Sequence, residues 1–163
     1  MSKNLTVRKR QGRIILYVLL ILYLVALCYL LFFSEEFGRH SIPADYPKMN
    51  LVPFREIQRF ILRRQKIGTL LSLLNTAGNV IGFMPMGCFI SLLFRRMNTL
   101  WKVTRVGFLC SLLAESLQYI FQVGIFDVDD MILNTMGSCL GYAVTVCFHK
   151  VCVFYKQIRK GKK

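Results

Sequence analysis

Ile14–Phe33 is a run of twenty residues without a charge, and three further apolar stretches follow at Thr69–Phe94, Val103–Gln122 and Met131–Phe154. As a helix rising 1.5 Å per residue, the first run covers about 30 Å, the thickness of a bilayer's hydrocarbon core. None of the four alternates polar with apolar positions, as the strand of a membrane barrel must. The pattern predicts an all-α fold: an integral membrane bundle of four transmembrane helices. Phe32-Phe33 passes directly into Ser34-Glu35-Glu36, with no small-residue cleavage site, so the first stretch is expected to be an uncleaved anchor.

Between the first two stretches, the dipeptides Ile42-Pro43, Tyr46-Pro47 and Val52-Pro53 exclude regular helix. From Phe54 onward the periodicity changes. Phe54, Ile57, Phe60 and Ile61 fall on one helical face, with Arg55, Arg59, Arg63 and Arg64 largely elsewhere. This predicts a short amphipathic helix lying on the membrane surface.

Composition agrees. Of 163 residues, 55% are hydrophobic, mean hydropathy is positive, and yet the net charge is +14, from 22 Lys and Arg against 8 Asp and Glu. A disordered chain would be charged but poor in apolar residues, and a soluble nucleic-acid binder would spread its basic residues over a folded surface. Here they sit between apolar blocks. The N-terminal tail holds five (Lys3, Arg8, Lys9, Arg10, Arg13), the connection after the second stretch four (Arg95, Arg96, Lys102, Arg105), and the C-terminal end six from Lys150 onward. The connection 34–68 holds seven, and the segment 123–130 holds none, only Asp127, Asp129 and Asp130. The positive-inside rule therefore places both termini in the cytoplasm and the 34–68 loop, with its surface helix, outside. The expected organisation is a basic cytoplasmic tail over 1–13, a four-helix membrane domain over 14–154, and a second basic cytoplasmic tail over 155–163.

With that direction, the polar residues within the stretches acquire depths. Asn75 and Asn79 fall about 8 and about 14 Å below the outer start of the second helix. Glu115 lies about 10 Å from the outer end of the third, with Gln118 shallower, and Asn134 sits about one turn below Asp130. All belong to the outer half. Asn75, Asn79, Gly82 and Met86 share one helical side, as do Glu115, Gln118 and Gln122, and as do Asp127, Asp130, Asn134, Gly137 and Gly141. A carboxylate facing hydrocarbon costs at least about 2.5 kcal/mol, so the three stripes are expected to meet in one outward-facing pocket. There Glu115 would bond Asn75, Asn79 or Asn134, with the aspartates at the mouth. The asparagines could equally serve as ties between helices, worth about 0.6 kcal/mol each, and Gly137 and Gly141 as a small-residue packing pair. Glu115, ionisable and within a span, is the stronger functional residue.

Asp127, Asp129, Asp130 and Glu115 are hard oxygen donors that would suit a divalent cation such as Mg²⁺, although their spacing matches no calcium loop. No cofactor is otherwise expected. Cys28, Cys88, Cys110, Cys139, Cys147 and Cys152 lie within the apolar stretches and form no CxxC pair, so they are expected to pack as small apolar residues. Neither a Gly-rich phosphate loop nor a Ser-His-Asp constellation is visible.

Four segments in register carry a family resemblance. Asn50-Leu51-Val52-Pro53-Phe54 resembles the NLxPF box of the VanZ-like membrane proteins, and Asn75 through Gly87 is similar to their NxxGNxxxFxPxG segment. Glu115-Ser116-Leu117-Gln118 resembles their ExxQ, and Asp127 through Gly137 their DxxDxxxNxxG. The resemblance implies a multi-pass protein of the bacterial plasma membrane, implicated in resistance to glycopeptide antibiotics such as teicoplanin. It also adds Asn50 to the candidate ligand-binding residues Asn75, Asn79, Glu115, Gln118, Asp127, Asp130 and Asn134. The expected partners are the lipid bilayer and a lipid, cell-wall precursor or glycopeptide, not nucleic acid. The expected role is a non-enzymatic binding factor. The alternative is an intramembrane enzyme acting on a lipid headgroup or lipid-linked precursor, with Glu115 as general acid/base and Asp127 and Asp130 positioning a metal or the substrate.

Overall fold

The structure, a computed structural model, describes residues 2–33, 49–55 and 68–161. Within them are four long helices: α1 (Ser2–Phe33), α2 (Gly68–Leu93), α3 (Leu100–Ile120) and α4 (Val128–Gly161). A 3-10 turn over Arg95–Met97 joins α2 to α3. Two strands of two residues each, β1 (Met49–Asn50) and β2 (Phe126–Asp127), pair in parallel. The surface helix expected beyond Phe54 and the proline-containing stretch up to residue 48 lie outside the described residues.

Three helices contain segments long and apolar enough to cross a membrane: Arg10–Phe33, Thr76–Leu93 and Val128–Arg159. The third helix, α3, is long enough but is diluted by Lys102, Arg105, Ser111, Glu115, Ser116 and Gln118. Lys102 and Arg105, near its start, are exposed, but the polar groups further along turn mostly inward. Ser111 and Glu115 are buried, while Phe108, Leu109, Leu113 and Ile120 stand exposed on its outer side. At both ends helix continues through the basic residues: α1 begins at Ser2 and α4 runs to Gly161.

The tightest pairing is α2 against α4, followed by α3 against α4, and α1 leans on α2. Small residues make the first pairing possible. A methyl group at Gly87 would fall 1.9 Å from the carbonyl oxygen of Ser138, one at Gly141 1.9 Å from that of Met84, and one at Gly137 2.2 Å from that of Val80. The backbones are in contact, which is how membrane helices gain packing energy where lipid removes the hydrophobic drive. Gly137 and Gly141 thus act as the expected packing pair. Gly82 does not continue the polar stripe expected on α2, since its face is turned to α1, where Leu27 lies 3.8 Å from its added-methyl position.

Pro85 lies inside α2 and cannot donate to the carbonyl four residues before it. One residue along, the carbonyl of Gly82 accepts a 2.8 Å hydrogen bond from the Tyr23 hydroxyl, and the Tyr23 ring leans on Phe89. This polar contact fixes α1 beside the proline. The core beneath it consists of Leu27, Phe83, Met86, Ile90 and Val103.

The third helix ends on Gln122, whose φ of 55° puts a residue other than glycine in the left-handed region. The Val123 N–H reaches the Gln118 carbonyl and the Gln122 N–H that of Tyr119, the paired bonds of a Schellman ending. The polar stripe on α3 therefore stops at Gln118.

Replacing Gly141 by alanine should lower the thermal midpoint of the detergent-purified protein, by about 1–3 kcal/mol of stability or more, since the neighbouring backbone must move. Gly12→Ala, where an added methyl meets nothing within 4 Å, should leave the midpoint unchanged or slightly raised.

Candidate functional site

The site lies where α4 begins. Asp127 is the cap of that helix: its Oδ1 accepts the Asp129 N–H at 2.8 Å, satisfying one of the donors that a helix start leaves open. The N–H of Asp127 itself is met from another helix, by Glu115 Oε2 at 3.1 Å. Glu115 thus plays from α3 the part that a glutamate three residues into a helix plays in a capping box.

Parallel pairing of β1 with β2 sets Asn50 opposite Asp127. The Asn50 Nδ2 donates to both Asp127 carboxylate oxygens, at 2.9 and 3.1 Å. One residue past Pro53, the chain is held again: the Phe54 N–H donates to Asp129 Oδ1. Phe54 is in the left-handed region at φ 65°, a conformation that a bulky residue adopts only when its surroundings impose it.

From α2, Asn79 Nδ2 donates to Asp130 Oδ1. Charges on Asp130 and Asp127 bear on Glu115 through space. One turn deeper, Asn134 Nδ2 donates to Ser111 Oγ at 2.9 Å. Ser138, another turn on, shares its hydroxyl between the carbonyls of Asn134 and Phe83 at 3.3 and 3.5 Å. These groups are out of solvent: Asn134 is 1% exposed, Glu115 2%, Asp127 4% and Asn50 5%. Two buried oxygens, Asn50 Oδ1 and Asn134 Oδ1, have no hydrogen-bond partner.

The structure brings Asn50, Asn79, Glu115, Asp127, Asp130 and Asn134 to one end of the bundle. It corrects their expected pairing. Glu115 was expected to bond an asparagine, but the open N–H at the start of α4 claims it, and the asparagines turn to Asp127, Asp130 and Ser111. Gln118 leaves the group, donating instead to the Leu31 carbonyl in the last turn of α1. Asn75 falls in α2 one turn before Asn79, and its side chain lies outside the described residues. Asp129, a metal candidate, holds the Phe54 backbone. Among the described residues no three Asp, Glu, His or Cys side chains converge as a metal site.

Two contributors escaped the sequence. Ser111 precedes Glu115 by four residues, so the stripe on α3 extended one turn further inward than Glu115. The backbone contributions of Met49–Phe54 had no periodic signal, because a two-residue strand is too short to show alternation.

The opposite end is basic. Because α1 ends beside Gln118 and α4 starts at the site, the beginning of α1, the α2–α3 turn and the end of α4 all lie away from it. Among the described residues, Arg55 is the only Lys or Arg on the site side.

Fold and site together define an all-helical, membrane-associated protein with a carboxylate–carboxamide cluster at one end of its bundle. Its sequence belongs to the VanZ/LLP1 family, whose model matches residues 20–149. The chain is 34% identical over 132 residues to Protein VanZ of Enterococcus faecium, covering 80% of this chain and 73% of that protein. No solved structure matches it.

The interhelical contact between Asn79 and Asp130 can be measured by a double-mutant cycle. Asn79→Ala and Asp130→Ala should couple by about 0.5–3 kcal/mol in thermal or denaturant stability, whereas Asn79→Ala combined with Gln118→Ala should be additive.

Proposed function

We propose that this chain is a bacterial plasma-membrane protein with four spans and both termini in the cytoplasm. Its cluster would face outward and bind a lipid or cell-wall component, lowering susceptibility to glycopeptide antibiotics such as teicoplanin. Family membership and the likeness to Protein VanZ support the general role. The basic end of the bundle supports the direction, since the Lys and Arg of a membrane protein gather on the cytoplasmic side. A fourth span is supported by α3 itself: its 21 residues rise about 32 Å, and beyond Arg105 its Ser111 and Glu115 are buried while Phe108, Leu109, Leu113 and Ile120 face outward.

The observation that carries the binding reading is the concentration of Glu115, Asp127, Asp129 and Asp130 around buried carboxamides at the start of α4. Helices held together by neutral polar side chains gain about 0.6 kcal/mol per contact, against at least about 2.5 kcal/mol for placing a carboxylate at bilayer depth. Packing alone would not select four acids there. Binding is favoured over catalysis because the Glu115 carboxylate is engaged in holding the start of α4, a positioning role.

Glu115→Gln and Asp130→Asn should each raise teicoplanin sensitivity of a strain that depends on this protein, at normal protein levels in the membrane. Unchanged resistance in both would remove the cluster from the function. Lipid and precursor profiles with and without the protein should be the same, and a new product would point to an enzyme instead.

A further inference from the structure

We infer that the basic end of the bundle holds the headgroup of an anionic phospholipid, on a surface formed by Arg96, Trp101, Lys102 and Arg105. This end lies opposite the carboxylate cluster, and the inference stands whether or not that cluster binds a ligand. The positive-inside rule asks only that Lys and Arg gather in the loops of one side. Arg105 goes further. It lies five residues into α3, about 8 Å along the helix, and is exposed, and the next exposed residues after it are Phe108, Leu109 and Leu113. Its side chain leans back toward the helix start, as helical side chains do, and its guanidinium rests 5.0 Å from the centre of the Trp101 ring. The charge is thereby carried to the level where headgroup phosphates lie, while the stem covers apolar surface. Lys102 is held as well: its Nζ donates to the Arg96 carbonyl at 2.7 Å, using one of its three N–H donors and keeping the ammonium beside the 3-10 turn.

The first helix brings further charge to the same level. The Leu31 carbonyl of α1 meets Gln118 of α3, and both helices run toward the site. Leu31 and Arg13 are eighteen residues apart, as are Gln118 and Leu100, so Arg13 stands at about the height of the start of α3 and Arg10 about one turn beyond it. No Asp or Glu occurs in 1–34, 57–114 or 131–163, so the acidic partner for these cations has to come from outside the chain. Apolar surface among the cations decides for a lipid over a soluble polyanion. Phe94, Leu100 and Trp101 are 44%, 52% and 65% exposed. A nucleic acid or an acidic peptide offers charge but nothing to cover these groups. A phospholipid brings both parts in one molecule, phosphate for the cations and acyl chain for Leu100 and the Trp101 ring, which itself prefers the interface. A zwitterionic headgroup also carries an ammonium that Arg and Lys repel, so a headgroup of net negative charge is favoured.

Trp101 is the chain's single tryptophan, so its fluorescence reports on this surface alone. The full-length protein is reconstituted in phosphatidylcholine bilayers containing a fixed fraction of either brominated phosphatidylglycerol or brominated phosphatidylcholine, whose acyl-chain bromine quenches a tryptophan it touches. Phosphatidylglycerol should be preferred beside Trp101 by about fivefold or more. Lys102→Gln with Arg105→Gln should bring the two lipids to equal quenching. Lys156→Gln with Arg159→Gln, which removes the same charge from the far end of α4, should leave the preference unchanged. If the first double variant does not fold, Arg105→Gln alone should reduce the preference. Equal quenching by both lipids in the unsubstituted protein would overturn the inference, as would a preference that survives loss of Arg105. Equal losses in the two double variants would also overturn it, since they reveal diffuse attraction to the membrane rather than a site. Loss of the preference on adding inorganic phosphate or polyglutamate, compared with chloride at the same ionic strength, would overturn it in favour of a free anion or an acidic protein.

Discussion

The contact on which the rest depends is between the backbones of α2 and α4. Gly87, Gly137 and Gly141 leave no room for a methyl group between the two helices, so their carbonyls and Cα atoms touch directly. At that distance the positions one and two turns toward the site cannot avoid each other either. Asn79 is brought onto Asp130, and Ser138 onto the Phe83 carbonyl. The groove between α2 and α4 is then narrow, and α3 closes it from the side with its own small residue, Gly107, against Ser138. A bundle held by bulky interlocking side chains would keep its helices 8–10 Å apart or more and would leave these short polar side chains out of reach.

The polar cluster follows from that frame by satisfying needs that are mostly backbone needs. The start of a helix presents open N–H groups, and in apolar surroundings each open group costs several kcal/mol. Asp127 and Glu115 answer two of them. Asn50, delivered by a two-residue strand, then holds the Asp127 carboxylate, and Asp129 holds the chain that delivers Asn50. The cluster is a chain of mutual supports, and its carboxylates are oriented before any ligand arrives.

Much of the helical framework was legible in the amino-acid sequence. Four apolar stretches, the glycine pair at Gly137 and Gly141, and the shared faces of α3 and α4 follow from 3.6-residue periodicity alone. The meeting of the polar faces of α2, α3 and α4 follows from the cost of facing lipid. Which carboxylate meets which amide was not legible, because periodicity fixes a face and leaves the partner open. Glu115 is drawn to the Asp127 N–H by an open backbone donor, a need that appears only when the exact start of α4 is known. Gly82 went astray for a similar reason: it shares a face with Asn79 by spacing, but Pro85 leaves this side of α2 to Tyr23 of α1. The Met49–Asn50 pairing had no sequence signal at all, since its partner lies 77 positions away.

That separation has a consequence for how the molecule is made. Between Asn50 and Asp127 the chain runs the length of the bundle and returns, through α2 and α3, before the two strands can lie side by side. During synthesis neither half of the β1–β2 pair has a mate until the α2–α3 hairpin is in place and α4 has begun to emerge. The cluster therefore cannot assemble before α4 has begun to form, and a chain halted after α3 carries Asn50 and Glu115 with nothing to grip.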